Sequence, residues 1–169
     1  MKIFGLAGYS GSGKTTLMVR LLPVLVGRGL AVSTIKHAHH RFDVDQPGKD
    51  SYEHRQAGAT EVMVSSATRW ALMHEHRAAP EAALDDLLQR MSPVDLVLVE
   101  GFKRETHDKI EVVRGPDARP TLLHDDPHIV ALASDRSWPD ALCPVLPLND
   151  AEAIAAFIVD HCGLTRGSA

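Results

Sequence analysis

Apolar residues along the chain change their spacing several times, and each change marks an element. Ile3 to Ala7 is a short apolar run ended by Gly8, the pattern of a buried strand. From Gly13 to about Arg28, Leu17, Leu21, Val24 and Leu25 recur at helical spacing, and Gly27 and Gly29 stop the helix. Pro23 lies inside it and is expected to kink it, because its ring meets the carbonyl of Val19. Ala31 to Ile35 reads as a second strand. Strand, glycine-rich loop, helix and strand in that order begin a parallel α/β sheet.

The stretch from Lys36 to Asp50 is too polar for a core and reads as a loop. Asp50-Ser51-Tyr52-Glu53 has the capping-box arrangement, so a short helix is expected to run to Ala57 and close at Gly58. Glu61 to Ser65 and Trp70 to His74 are strand-like, and the turn between them makes a hairpin. Pro80 to Met91 reads as a helix with Leu84, Leu87, Leu88 and Met91 on one face. Asp95 to Glu100 is apolar on both faces and belongs at the centre of a sheet. Lys109 to Val113 and Ile129 to Ala133 are further strands, Ala151 to His161 is a last helix, and Leu164 to Ala169 is expected to fray.

Composition narrows the partners. A length of 169 residues suits a single domain, 1–169. The net charge of −4, from 22 acids against 18 bases, lacks the basic footprint of a nucleic-acid binder, so no nucleic-acid partner is expected. Cys143 and Cys162 match no zinc or redox spacing and read as small apolar core residues. No secretory leader is visible, and no apolar stretch reaches the ~20 residues that span a bilayer. The expected location is therefore cytoplasmic, away from membranes.

The chemistry is concentrated near the start. Gly8-Tyr9-Ser10-Gly11-Ser12-Gly13-Lys14-Thr15 matches G-x-x-x-x-G-K-[ST] at every fixed position. A loop wrapped around phosphates needs inward-pointing N–H groups, and glycine tolerates the dihedral angles this requires. The following helix aims its positive end at the anion. In that pattern Lys14 reaches the β and γ oxygens and Thr15 offers a hydroxyl to Mg²⁺. The expected fold is thus α/β of the P-loop NTPase type: a mainly parallel sheet, helices on both faces and a projecting hairpin at about 61–74. Glu100 closes the central strand where such proteins place an acid near Mg²⁺; it stands in for the usual aspartate and could act through a water. Gly101 would let its N–H approach a phosphate. The run Lys36-His37-Ala38-His39-His40 with Asp43 and Asp45 carries ligand types suited to zinc or nickel, but no tetrahedral spacing. A loop facing substrate or Mg²⁺ accounts for it better. Arg55, Lys49 and His54 are either anion ligands or solvated.

Further motifs carry a resemblance. Ile35 to His40, Asp43 to Tyr52, His54-Arg55 and Ala57 to Ala59 closely resemble the molybdopterin-guanine dinucleotide biosynthesis adapter family (MobB), as do Arg69 to Met73, Leu98 to Lys103 and Ala131 to Asp135. The resemblance covers nearly the whole chain, and the Lys36–Ala59 motif is far more specific than the phosphate loop. It implies a GTP-binding adapter that assists the guanylyltransferase MobA in joining GMP to molybdopterin, with slow GTPase activity at most. It also implies that Gly11 to Thr16, Thr16 included, bind GTP phosphates. Glu100 and Asp45 become candidates for the Mg²⁺ side and for catalysis. The Lys36–Ser51 loop becomes a candidate for contacting pterin, phosphate or partner, with molybdopterin itself a further candidate ligand.

The usual guanine reader, N-K-x-D, is absent. Guanine offers N1–H and N2–H₂ donors, so Asp135, Asn149 and Asp150, after late strands, are candidates to read it. Two other classes stay in view. A small-molecule kinase would carry an arginine-rich lid, for which Arg119 and Arg136 are too scattered; a metal-delivery GTPase would carry a Cys-Pro-Cys motif or a His-rich tail, and the chain has neither. Finally, Val62-Met63-Val64 and Trp70 to Met73 form a short apolar hairpin outside the parallel order. An isolated hairpin is marginal in water and its edge invites pairing. Together with the resemblance, this makes a homodimer through Glu61–His74 the expectation.

Overall fold

The computed structural model describes residues 1–38, 42–115 and 122–164. His39, His40 and Arg119, and the fraying expected beyond Leu164, lie outside the described residues. In chain order the elements begin with β1 (Lys2–Ala7), α1 (Lys14–Gly27), β2 (Val32–Lys36), α2 (Asp50–Gln56), β3 (Glu61–Ser65) and β4 (Trp70–His74). They continue with α3 (Leu84–Gln89), β5 (Leu96–Glu100), β6 (Lys109–Val113), a 3₁₀ turn at Leu122–His124, β7 (Ile129–Ser134), β8 (Val145–Pro147) and α4 (Ala151–His161). The chain divides into two compact units, residues 38–90 forming one and the flanking segments the other. No helix among the described residues is long and apolar enough to cross a membrane.

The larger unit is a six-stranded sheet in the order β2-β5-β1-β6-β7-β8, and every pairing in it is parallel. All six carboxyl ends therefore lie along one edge. Strand alternation sends Phe4, Leu6, Leu96, Leu98, Ile110 and Val112 to one face, where they bury Leu17, Leu21 and Leu25 of α1 and Ile154 and Ile158 of α4. Each of these leucines contributes roughly 1.5–3 kcal/mol relative to exposure. That apolar spacing outweighs one missing N–H, and α1 runs through Pro23 without a break. On the other face, Ala7, Ile129 and Leu132 pack with Leu122, Leu123 and Trp138. β5 is buried along its whole length between β2 and β1, as its continuous apolar run requires. Cys162 is buried and Cys143 half-buried, both as free thiols.

β6 is unusual in carrying two buried ionisable residues. Lys109 is fully buried and donates to Asp126 Oδ2 (2.9 Å) and to the Glu105 carbonyl (2.7 Å). Glu111 accepts from the N–H groups of Leu122 and Leu123 (2.8 and 3.1 Å), so the carboxylate opens the 3₁₀ turn; burial nevertheless raises its pKa.

In the smaller unit, Lys49, not Asp50, occupies the cap of α2, in extended conformation and with no side-chain cap. The expected capping box therefore does not form. Asp50 and Glu53 lie inside the first turn, where acids favour the helix dipole. At the other end the N–H groups of Gly58 and Ala59 reach the carbonyls of Arg55 and His54, a Schellman closure. α3 is shorter than expected. Residues 80–83 stay out of the helix, and the six residues that form it are those spanning the buried pair Leu84 and Leu88. β3 and β4 make a separate antiparallel hairpin, closed by Ser66 N–H on the Arg69 carbonyl (2.9 Å). Met63 opposes Leu72, and Trp70 lies on the same face; these three are 61%, 40% and 62% exposed.

β8 has no strand pattern in the sequence. It has three residues, ends in Pro147 and pairs only with β7. Proline is tolerated there because an edge strand has one side without a ladder.

Candidate functional site

Glycine at position 13 makes the phosphate loop possible. It caps α1 with φ 98°, a left-handed conformation that a side chain disfavours. No side chain caps this helix end and no acid occupies its first turn, so its N–H groups face an incoming anion with the dipole behind them. Lys14 folds over the loop and donates to the carbonyls of Gly8 (2.9 Å) and Tyr9 (2.8 Å). Burial pushes its pKa below the ordinary lysine value; Lys103 and Lys36 push the same way and Glu100 opposes them. Ser10 and Gly11 are exposed on the loop and Thr16 on the first turn of α1, while the Ser12 hydroxyl is buried with no hydrogen-bond partner.

Parallel register brings the second half of the site to the same edge. Glu100 ends β5 opposite Lys36 of β2 and Leu6 of β1. Its Oε1 accepts from Thr15 Oγ1 at 2.7 Å and stands 3.3 Å from Lys36 Nζ, which also donates to Thr15 Oγ1 at 3.3 Å. A hydroxyl and a carboxylate oxygen in contact are hard donors that fit Mg²⁺, an ion that takes one or two protein oxygens and completes its shell with water and phosphate. Among the described residues no cluster of three His, Cys, Asp or Glu side chains forms a metal site. The polarity of the Lys36–Asp50 stretch reads Lys36 as loop, whereas it is the last residue of β2.

Gly101 carries out a different task from the one expected. Its N–H donates to the Leu6 carbonyl (3.3 Å). Glycine is needed there because φ is 96° and a Cβ would come within 2.8 Å of His37 Cβ. Phe102 follows, also at positive φ (46°), and its ring lies 4.6 Å from that of His37.

Asp135 and Asn149 line one cavity of about 580 Å³, formed by Ser134 to Trp138 after β7 and Val145 to Asn149 at β8. Asp135 accepts from the Gly115 N–H through both oxygens (3.2 and 3.3 Å), and Asn149 Oδ1 accepts from Arg20 at 3.4 Å. The Arg136 guanidinium lies 4.2 Å over the Trp138 ring, whose Nε1 donates to Ser134 Oγ. Asp150 is otherwise engaged: it caps α4 by accepting from Ala153 N–H (2.9 Å).

In the smaller unit, Asp45 belongs to a network centred on Arg55. Asp45 Oδ1 accepts from Ser51 Oγ (2.9 Å) and Gln46 N–H (3.0 Å), and Oδ2 from Arg55 Nε (3.2 Å). Arg55 also donates to Asp43 and Glu75, and its side chain is only 11% exposed. Both oxygens of Asp45 are thus committed to protein donors, which gives this carboxylate a place in the scaffold of its own loop. Arg55, bound by three carboxylates, is not available to an anionic ligand.

A parallel α/β sheet with a Gly-Lys-Thr phosphate loop at the carboxyl edge of its strands defines the class, a P-loop NTPase fold. Within it the chain belongs to the molybdopterin guanine dinucleotide synthesis protein B family, MobB, whose sequence profile matches residues 3–135. It is 47% identical over 161 residues to the molybdopterin-guanine dinucleotide biosynthesis adapter protein of Escherichia coli, covering 94% of this chain and 91% of that one. The Haemophilus influenzae adapter protein is 43% identical over 135 residues, covering 79% and 74%. Among solved structures, a molybdopterin-guanine biosynthesis protein B superposes with a TM-score of 0.74 at 29% identity, covering 94% of this chain and 99% of that one. A MobB homologue from Bacillus stearothermophilus gives 0.70 at 26%, covering 98% and 100%.

Proposed function

We propose that this chain is a GTP-binding adapter of molybdenum-cofactor biosynthesis, working in the cytoplasm beside a MobA-type guanylyltransferase as GMP is attached to molybdopterin. The adapter role rests on the family and on relatives that carry that name. One observation carries the nucleotide: the phosphate loop and the cavity holding Asp135 and Asn149 lie along a single carboxyl edge of the sheet. Gly8 to Thr16 cradle the phosphates, with Lys14 as their cation. Asp135 accepts from guanine N1–H and N2–H₂, and adenine, lacking both, leaves it unanswered. Thr15 and Glu100 hold Mg²⁺, which neutralises phosphate charge when bound. The test is a titration with Mg·GTP and Mg·ATP. Wild type is expected to prefer GTP, and Asp135→Asn to narrow the preference by about tenfold, the worth of one charge-assisted hydrogen-bond set. Equal competition by ATP in the wild type would refute the base assignment.

The finer assembly we propose is a homodimer through the hairpin. Met63, Leu72 and Trp70 form one exposed apolar face on a two-stranded sheet. Pairing with a second copy across a two-fold axis would cover that face and complete the edge hydrogen bonds. Met63→Pro removes a strand donor and is expected to shift the mass measured by light scattering from dimer to monomer. A wild type that stays monomeric at tens of micromolar ends the idea.

A further inference from the structure

Arg114 is the first residue after β6, at the carboxyl edge that carries the phosphate loop. Three atoms of its guanidinium, Cζ, Nε and Nη2, each lie 3.6 Å from the point where a Cβ on Gly13 would stand. Equal distances mean that the flat face of the guanidinium covers Gly13, the residue that caps α1. A side chain at position 13 would fill the space between them, so the glycine leaves a cation resting on the loop.

Three neighbouring cations are engaged. Lys14 donates to two loop carbonyls, Lys36 is shared between Glu100 and Thr15, and Lys103 lies 5.9 Å over the Tyr9 ring. Arg114 is exposed and makes no hydrogen bond or ion pair with any described residue. Its neighbour Gly115 is fixed by the Asp135 carboxylate at the rim of the cavity. Arg114 thus stands between the phosphate loop on one side and the cavity on the other. Resting on the nucleotide reading above, we propose that Arg114 is a phosphate-binding residue, its guanidinium forming charge-assisted hydrogen bonds with the phosphate chain of a nucleotide that spans loop and cavity. Arginine suits this task because its planar fork matches two phosphate oxygens at once.

The test compares wild type, Arg114→Ala, Arg114→Lys and Lys14→Ala by calorimetry with GDP, GTP and inorganic tripolyphosphate. Arg114→Ala is expected to weaken all three by about tenfold, with thermal melting unchanged because the side chain makes no hydrogen bond or ion pair with any described residue. Arg114→Lys is expected to recover part of the loss. If Arg114→Ala binds like wild type while Lys14→Ala does not, the proposal fails and the nucleotide reading stands. If wild type binds neither GDP nor GTP, both fail. Weaker GDP and GTP binding with unaltered tripolyphosphate binding would also overturn the proposal, since Arg114 would then act on the base or through the fold.

Discussion

Lys14→Ala is expected to weaken nucleotide binding by about ten- to a hundredfold while the protein stays folded. The ammonium group is half-buried and held over the loop by the carbonyls of Gly8 and Tyr9, so it is already positioned before a ligand arrives. Burial and two neighbouring lysines make that charge costly to keep, as its lowered pKa records. An anion between the loop and the helix end relieves that cost, which is why the contact lies at the strong end of charge-assisted bonds, about 1.5–3 kcal/mol. Nothing in the α1 core depends on the side chain, because Leu17, Leu21 and Leu25 hold the helix. Calorimetry with GTP measures the loss and circular dichroism checks the fold. A folded variant with wild-type affinity would remove the phosphate-loop assignment.

How much of this was legible in the sequence depends on how local each feature is. The phosphate loop was, because eight consecutive residues hold all its chemistry. β5 was, because a run buried on both faces has no polar alternation. Local rules also misled: Asp50 and Glu53 have capping-box spacing, but the chain enters α2 with Lys49 at the cap. Pro80 to Ala83 have helical composition, but burial of Leu84 and Leu88 decides where α3 lies. β8 was hidden because edge pairing with β7 stabilises a segment bracketed by prolines that no strand pattern marks. Least legible were contacts set by the order of strands. Lys36 meets Glu100 only because β2 lies beside β5, and Arg114 reaches Gly13 only because β6 lies beside β1. Neither pairing leaves a signature along the chain.

The same distance between sequence and contact governs the largest stability effect. Asp126→Ala is expected to cost about 3–5 kcal/mol, because it leaves the fully buried Lys109 ammonium with only the Glu105 carbonyl as partner. In a protein of this size that corresponds to a fall in melting temperature of roughly 6–20 °C. The charge is the cause, so replacing both partners by apolar residues, Lys109→Met with Asp126→Leu, is expected to recover most of the loss. pH provides an independent check. Desolvation works to raise the Asp126 pKa, but the hydrogen bonds from Lys109 and the His128 N–H outweigh it and hold the carboxyl below its usual range. Its contribution is therefore complete above the pH at which an unfolded aspartate titrates and is lost as pH falls through the lower folded value. His107 acts at milder acidity. Its ring nitrogens are buried without partners, and burial, with the Lys109 charge adding to it, lowers its pKa to about 4. An unfolded histidine takes up its proton near pH 6.5, so wild-type stability is expected to decline first between pH 6.5 and 4, then further as Asp126 is protonated. The Asp126→Ala variant should keep the first decline and show a smaller second one, since Asp108, bonded to His161, and Asp43, bonded to Arg55, are also held below their usual range. Melting temperatures from pH 7 to pH 3 measure both, and a variant as stable as wild type at pH 7 would show that the buried lysine is held by something other than this carboxylate.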